Sequence, residues 1–316
     1  MISFVVIGKN EGERLLLCLS SIHKIIEKYC SKMDFEITYV DSKSTDGSIE
    51  RIKELYPDVR IFKITGDCNA AIGRNIGAAE SHGDILCFLD GDMELDTDFL
   101  FETVMDENCK MKYPFCNGNI TDFYYDNDWK FIKKFARINV SENSYRSKTG
   151  GFFVIEKKIW DSVGGMDDDF TKSQDNDLGI RLTNKGYPVL TYAKTAINHH
   201  TIPYFNRTLK SQISNIRYPM VIVRRNLFTK RFFDYSLRMY PMAFLLLFTI
   251  IALFFIRPWW VAIIPYLLMS IYRSIRKGFR TFFVQLFRGT VIDFTELYAL
   301  FFFRLPKLER KYVRIN

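Results

Sequence analysis

Apolar residues recur along the first part of the chain with two alternating periods. Ile2-Ser3-Phe4-Val5-Val6-Ile7 is a nearly continuous apolar run, which predicts a strand buried on both faces. Leu15, Leu16, Leu19, Ile22 and Ile26 then recur at helical spacing up to about Tyr29. A second strand is predicted over 35–40, ending at Asp41 and the loop Ser42-Lys43-Ser44-Thr45-Asp46-Gly47. A helix follows from Ser48 to about Leu55, stopped by Pro57, then a strand over 59–64. The spacing predicts a helix over 70–81, with Gly73 and Gly77 small enough for close packing. Ile85-Leu86-Cys87-Phe88-Leu89 is a further buried strand, and it stops abruptly at Asp90-Gly91-Asp92. This alternation predicts an α/β fold, Rossmann-like, with a doubly wound and mainly parallel sheet. Right-handed crossovers would bring the strand ends at 8–11, 41–46 and 90–92 to one edge. Ligands of such sheets collect at that edge.

Residues 93–145 show no clear period and are rich in aromatics. Thr149-Gly150-Gly151-Phe152-Phe153-Val154-Ile155 reads as a glycine-led strand, followed by a short helix to Val163 and the turn 164–169. Ser173-Gln174-Asp175-Asn176-Asp177 opens a helix, with Ser173 the predicted N-cap and acids suited to the first turn. A strand over 188–192 and the pair His199-His200 close a predicted domain spanning 1–203.

Beyond that point the pattern changes. Residues 204–238 form a basic segment carrying Arg217, Arg224, Arg225, Lys230, Arg231 and Arg238. Two uncharged apolar runs follow, 240–256 and 259–272, parted by Arg257-Pro258. At 17 and 14 residues they fall short of the roughly 20 needed to span a bilayer. Cations flank their outer ends, which predicts a hairpin with both ends on the cytoplasmic side. It would either span or re-enter the membrane; a buried soluble hairpin is the alternative. In 282–303, Gln285, Arg288, Asp293 and Glu296 share one helical face, while Phe283, Phe287, Val291, Phe294, Tyr298 and Phe301 lie largely elsewhere. That predicts a helix in the membrane interface, with Lys307, Arg310, Lys311 and Arg314 at headgroup level. The region 239–316 is therefore expected to be membrane-associated, and its aromatic hairpin could also pair with its own copy.

Charge sharpens the division. Residues 1–203 hold 25 Lys+Arg against 32 Asp+Glu, whereas 204–316 hold 19 against 4. The acidic part would repel nucleic acid, and the basic part is also the aromatic part, which points to an anionic membrane surface. All six cysteines lie within the first 116 residues without Cys-x-x-Cys spacing, so they read as core residues and stray thiols in a reducing compartment. Nothing resembling a secretory signal follows the first strand, since Lys9 and Glu11 interrupt the apolar run.

The candidate chemistry gathers at predicted strand ends. Two carboxylates one residue apart at the lip of a strand suit a divalent cation bridging phosphate oxygens, although Asp-Gly-Asp is also good turn chemistry. Asp41, Asp175 and the two histidines would join them. Asp41 could equally cap its loop, and Asp175 could simply complement a helix dipole. Together they describe a site for a nucleotide diphosphate and a metal, with a further carboxylate able to deprotonate an acceptor hydroxyl.

Five stretches, in order, resemble the motifs of the inverting, GT-A fold, family 2 glycosyltransferases. They are Val6-Ile7-Gly8-Lys9-Asn10-Glu11, Val40-Asp41 through Ser48, Gly73-Arg74-Asn75-Ile76-Gly77-Ala78, Phe88-Leu89-Asp90-Gly91-Asp92 and Val163-Gly164-Gly165-Met166-Asp167. The resemblance implies a nucleotide-sugar-binding half (1–92) and an acceptor-binding half (93–203). It implies that Gly8, Asn10, Glu11, Asp41, Arg74, Asp90 and Gly91 bind the nucleotide sugar, a UDP-sugar by first choice. Asp92, with His199 or His200, would hold Mn2+ or Mg2+. Gly150, Gly151 and Gln174 would form a loop at the acceptor or donor sugar. The family's Glu-Asp pair, whose Asp is the catalytic base, aligns with Gln174-Asp175, so the base is present and its Glu neighbour is replaced.

The resulting expectation is a membrane-bound glycosyltransferase on the cytoplasmic face, acting on a polyprenyl-diphosphate-linked acceptor in surface polysaccharide assembly. Transfer to polyprenyl phosphate is the alternative. The Gln-x-x-Arg-Trp segment of processive synthases is not matched, because Gln212 to Arg217-Tyr218 has different spacing and Tyr for Trp. A nucleotidyltransferase would carry a longer, glycine-rich loop than Gly8-Lys9-Asn10-Glu11-Gly12. A non-catalytic partner protein would be expected to lose Asp92 or Asp175.

Overall fold

The computed structural model describes residues 1–202, 208–230 and 232–316. The predicted domain boundary at 203/204 and the predicted juxtamembrane cation Arg231 lie outside the described residues. The chain divides into two compact units, Met1–Tyr204 with Lys307–Asn316, and Phe205–Pro306.

The first unit opens with β1 (Ile2–Gly8), α1 (Glu13–Tyr29), β2 (Phe35–Asp41), α2 (Ser48–Leu55), β3 (Arg60–Ile64), α3 (Ala70–Ala79) and β4 (Ile85–Asp90). Then come β5 (Met93–Leu95), a π-helical turn at Phe99–Val104, β6 (Phe115–Tyr125), β7 (Phe131–Ile138), β8 (Ser144–Arg146) and β9 (Phe153–Glu156). Helices α4 (Lys157–Ser162) and α5 (Gln174–Asn184) precede β10 (Val189–Thr201), and β11 (Tyr312–Arg314) returns from the far end of the chain. The sheet runs β11-β3-β2-β1-β4-β9-β6-β10-β5, with β7 on β6 and β8 on β10.

The nucleotide half matches the predicted alternation. Strands β3, β2, β1 and β4 pair in parallel, and β1 and β4 are buried along nearly their whole length between helices on both faces. Close helix–sheet packing explains Gly77, where a Cβ would strike the Val5 side chain. The expectation of a mainly parallel sheet is corrected beyond β4. There β9 runs antiparallel to both β4 and β6, and β5, β7, β8 and β11 add antiparallel edges, so the sheet is mixed. Of these pairs only β6 and β7 are joined by a short hairpin, while β11 is supplied from the far end of the chain.

Three local expectations also change. Residues 93–145 contain four strands. Strand β7 is exposed over nearly its whole length, and that removes the buried–polar alternation a sequence would show. Ser173 does precede α5, but it is left-handed (φ 62) and its side chain makes no cap hydrogen bond. Residues 307–316 do not lie with the apolar helices. Strand β11 extends the catalytic sheet beside β3, Arg310 pairs with Asp168 at 2.7 Å, and Asn316 hydrogen-bonds Ile61 and Val59. Backbone pairing and ion pairs to the acidic loop outweigh the cationic pattern that suggested headgroup contact.

The second unit holds α6 (Leu209–Arg225), α7 (Pro241–Phe255), α8 (Trp260–Arg276) and α9 (Phe282–Phe302). Thr208 caps α6 by accepting the Ser211 amide. Met220, Val223, Phe244, Ala299 and Leu300 form one core cluster, and Met242, Leu246, Tyr266 and Leu297 another. The polar face of α9 turns inward. Asp293 takes both guanidinium nitrogens of Arg273 at 2.7 Å and the Tyr266 hydroxyl at 2.9 Å, and Glu296 is buried nearby. Burial, reinforced by Asp293, pushes the Glu296 carboxyl up to about 8. Phe283, Phe287, Phe294, Tyr298 and Phe301 face outward. This corrects the predicted arrangement, in which the polar face was the solvated one. Among the described residues no helix is long and apolar enough to cross a membrane.

Candidate active site

The parallel register brings the carboxyl ends of β1, β2 and β4 to one edge, with Gly8 opposite Asp41 and Ile7 opposite Asp90. The chain then turns at Gly91, whose amide donates to the Ile7 carbonyl at 2.8 Å. A Cβ there would meet Glu11 and Leu15 at 3.2 Å, so the turn is packed against α1. Strand β5 starts immediately afterwards and pairs with β10, placing Met93 opposite His199. That pairing, with the His200 amide donating to the Asp92 carbonyl at 2.9 Å, sets Asp92 against His199.

His199 Nε2 lies 3.2 Å from Asp92 Oδ2, and its Nδ1 lies 2.9 Å from Asp122 Oδ1. Arg137 Nε donates to the other Asp122 oxygen at 2.8 Å, and its guanidinium also approaches His199 Nδ1. Burial opposes charge on His199, but hydrogen bonds to Asp122 and Asp92 outweigh it and raise the imidazole to about 9. Neighbouring positions on a strand face opposite ways, so His200 points elsewhere, meeting the Tyr125 hydroxyl at 2.9 Å and Glu94 at 3.5 Å. Of the two histidines, His199 is the one at the carboxylates.

Asp92 Oδ1 is buried without a hydrogen-bond partner. Glu11 lies alongside, 2.8 Å from Arg14, and burial together with the Asp92 charge pushes it up to about 7. Gly8, Glu11, Asp90, Asp92 and His199 line one cleft of about 480 Å³. A hard carboxylate oxygen lacking a partner, beside an imidazole nitrogen that would give up its proton to bind, suits a divalent cation that takes its other ligands from a substrate. Among the described residues no group of three or more His, Cys, Asp or Glu is arranged to hold a metal, so such a cation would rely on substrate oxygens.

A second cleft of about 460 Å³ is lined by Arg74, Asp90, Gly150, Gly151, Gln174 and Asp175, among others. Arg74, on α3, is almost fully buried and donates to Asp90 Oδ1 at 2.5 Å and to the Gly151 carbonyl at 3.2 Å. Burial pushes the Asp90 carboxyl up, and the Arg74 guanidinium opposes this. A Cβ at Gly151 would strike the Asp90 carboxylate, which explains the glycine. Asp175 stands in the first turn of α5, 3.7 Å from Lys148 Nζ. Both clefts have Ala70, Asp90 and Arg137 in their walls.

The predicted residues thus fall into two adjoining groups that share Asp90. Asn10 and Asp41 line neither cleft. Asp41 is fully buried and accepts the Ser44 amide at 3.0 Å, while Asn10 Oδ1 accepts the Thr45 amide at 2.8 Å. Both stabilise the loop after β2. Asp122 and Arg137 were not found from the sequence. They sit on the β6–β7 hairpin, where the only available signal was a charged residue inside an aromatic run.

A mixed sheet with paired carboxylates at its carboxyl edge and a further carboxylate across the adjoining cleft defines an α/β protein with a ligand site at its strand ends. Residues 3–166 match Glycosyl transferase family 2, and the chain belongs to that family. It is 27% identical to "O-antigen biosynthesis protein RfbC" of Myxococcus xanthus over 52% of this chain and 15% of that protein. It is 27% identical to "Glycosyltransferase AglE" of Haloferax volcanii over 67% of this chain and 70% of that one. To "Amylovoran biosynthesis glycosyltransferase AmsB" of Erwinia amylovora it is 23% identical, covering 75% and 83%. Among solved structures, GalNAc-T7 with UDP, GalNAc and Mn2+ superposes with a TM-score of 0.53 at 17% identity, covering 74% of this chain and 50% of that one. The chain is a glycosyltransferase, with a GT-A-like fold and relatives in polysaccharide biosynthesis.

Proposed function

We propose that the chain moves a sugar from a nucleoside-diphosphate sugar, with inversion and with the help of Mn2+ or Mg2+, to a lipid-linked acceptor presented at a membrane. The observation that carries this reading is the meeting of the two clefts at Asp90 and Arg137. A donor diphosphate at Asp92 and His199 would set its sugar at that junction, facing Asp175 from the far side. UDP and Mn2+ in the structural neighbour support the same donor chemistry.

In this mechanism Asp92 and His199 would hold the cation, whose positive charge would offset that of the diphosphate leaving group. Residues 1–92 provide the donor half and 93–203 the acceptor half. Arg74 braces Asp90 against the donor ribose, and the Gly150-Gly151 backbone allows the sugar close approach. Asp175 removes the proton from the acceptor hydroxyl, and that oxygen bonds the anomeric carbon. The carbon–phosphate-oxygen bond breaks on the opposite face, and the configuration inverts.

The second unit supports the membrane acceptor. On α9, Asp293 and Glu296 turn inward while Phe283, Phe287, Phe294 and Phe301 face outward, the arrangement expected of a helix whose outer face meets lipid. Among the described residues no helix is both long and apolar enough to cross, so we propose insertion into one leaflet, on the cytoplasmic face. The acceptor would be a polyprenyl-diphosphate-linked saccharide; polyprenyl phosphate itself is the second reading. Incubating the full chain with a panel of nucleotide sugars, Mn2+ and each lipid, followed by mass analysis, tests both. A hexose-sized mass gain on one lipid class selects that reading. No gain with any combination overturns the lipid acceptor.

A further inference from the structure

The cleft in front of Asp175 is unlike the unit that contains it. Residues 1–203 carry more acids than bases, yet this cleft is walled by Arg74, Arg137, Arg146, Lys148 and Lys172 against only Asp90 and Asp175. Three of the five cations are matched: Arg74 to Asp90 at 2.5 Å, Arg137 to Asp122 at 2.8 Å and Lys148 to Asp175 at 3.7 Å. Arg146 and Lys172 have no ion pair among the described residues. They come from different elements, Arg146 from the end of β8, opposite Val189 of β10, and Lys172 from the loop before α5.

A single exposed cation is ordinary surface. Two exposed cations without an acidic partner in one concave wall are different, because a cleft lined by one sign of charge raises the local concentration of anions. A second observation points to the same place. Gln174 Oε1, in the same wall, is buried without a hydrogen-bond partner, an acceptor available to a ligand hydroxyl. The cleft therefore offers a hydroxyl site and a cationic site side by side.

We infer that this cleft is a subsite for an anionic group on the acceptor, a phosphate or a carboxylate, held by Arg146 and Lys172. The inference rests on the transferase reading above and adds the charge of the acceptor and the residues that read it. The donor diphosphate is held elsewhere, at Asp92 and His199. Phosphate would mean a phosphorylated carrier close to the accepting sugar, and carboxylate an acidic accepting sugar.

The test uses the full chain saturated with UDP and Mn2+, so that the donor cleft is filled. Glucose 1-phosphate, glucuronate and methyl glucoside are then titrated by saturation-transfer NMR. One or both charged probes should bind at least about tenfold more tightly than the neutral one, as two charge-assisted contacts require. The preference should vanish in Arg146→Ala/Lys172→Ala, persist in Arg146→Lys/Lys172→Arg, and leave UDP affinity as it was. Equal binding of all three probes, or a preference surviving the double alanine variant, overturns the subsite. The phosphate and carboxylate arms distinguish the two sources. Failure of UDP to bind counts against the donor reading alone, and the charge comparison is then made on the ligand-free protein with the same criteria.

Discussion

At the scale of single residues, the two clefts assign separable roles to Asp175 and Asp122. Of the two clefts Asp175 lines only the second, so on the proposed mechanism Asp175→Asn should leave UDP affinity intact and lower turnover by about 10²–10⁴, the range for a lost general base. Near-normal turnover would remove it from that role. Asp122 lines neither of the two clefts and would act through His199, whose ring it meets at 2.9 Å while Arg137 holds its other oxygen. Such a carboxylate behind a metal-binding histidine typically governs affinity. Asp122→Asn should therefore weaken Mn2+ binding about 10–100-fold by calorimetry in the presence of UDP, with recovery in Asp122→Glu. An unchanged Mn2+ affinity would confine Asp122 to a structural role. The positions of Asp90, Asp92 and Asp175 at the clefts were legible because each ends, follows or opens a strongly patterned element, whereas His199 lies inside β10, which runs on from the predicted strand 188–192 to Thr201. Arg137 was hidden because β7 is exposed and carries no period, and Asp122 because it is a single buried acid in the aromatic strand β6 with no motif around it.

At the scale of elements, the parallel half was legible because central strands must be apolar on both faces, and β1 and β4 are. Strand β11 was not, since three residues paired at an edge carry no pattern and their partner lies far away in sequence. The end of the sheet opposite the site holds a further device. Glu36 on β2 accepts from Ser3 at 2.5 Å, from Arg60 at 2.6 Å and from the His82 amide, tying β1, β3 and the loop before β4 together. Burial alone would raise this carboxyl. The Ser3 and His82 hydrogen bonds and the Arg60 charge prevail and hold it down to about 2. A carboxyl depressed in the folded state contributes stability above its ordinary range, and that contribution is lost as pH falls from about 4.5 through 2. Glu36→Gln should thus cost about 1–3 kcal/mol at neutral pH. In urea unfolding, the gap between wild type and variant should narrow as pH falls from about 6 to about 3. A gap independent of pH would mean that the network contributes through shape alone.

At the scale of the whole molecule, the sequence separated the two faces of the last helix but misjudged which way they point. Periodicity reports that polar and apolar residues occupy different faces of α9; it does not report which face meets the core. The Arg273–Asp293–Tyr266 cluster satisfies the buried carboxylate inside, which frees the phenylalanines to face out. Phe283 is 81% exposed and Phe287 64% exposed. Each such side chain leaving water contributes about 1.5–3 kcal/mol. If lipid covers this face, the full chain should float with phosphatidylglycerol vesicles, and less completely with phosphatidylcholine, because Arg276, Lys277 and Arg280 add attraction to anionic headgroups. High salt should abolish the difference between the two lipids without releasing the protein, since the apolar contribution is unscreened. Phe283→Ser/Phe287→Ser/Phe301→Ser should weaken binding to both lipids by at least about tenfold while melting as wild type does, because none of the three fills the core. Flotation of the triple variant at wild-type strength would rule out this face as the lipid contact. A wild type that sediments away from both lipids would rule out the membrane reading as a whole.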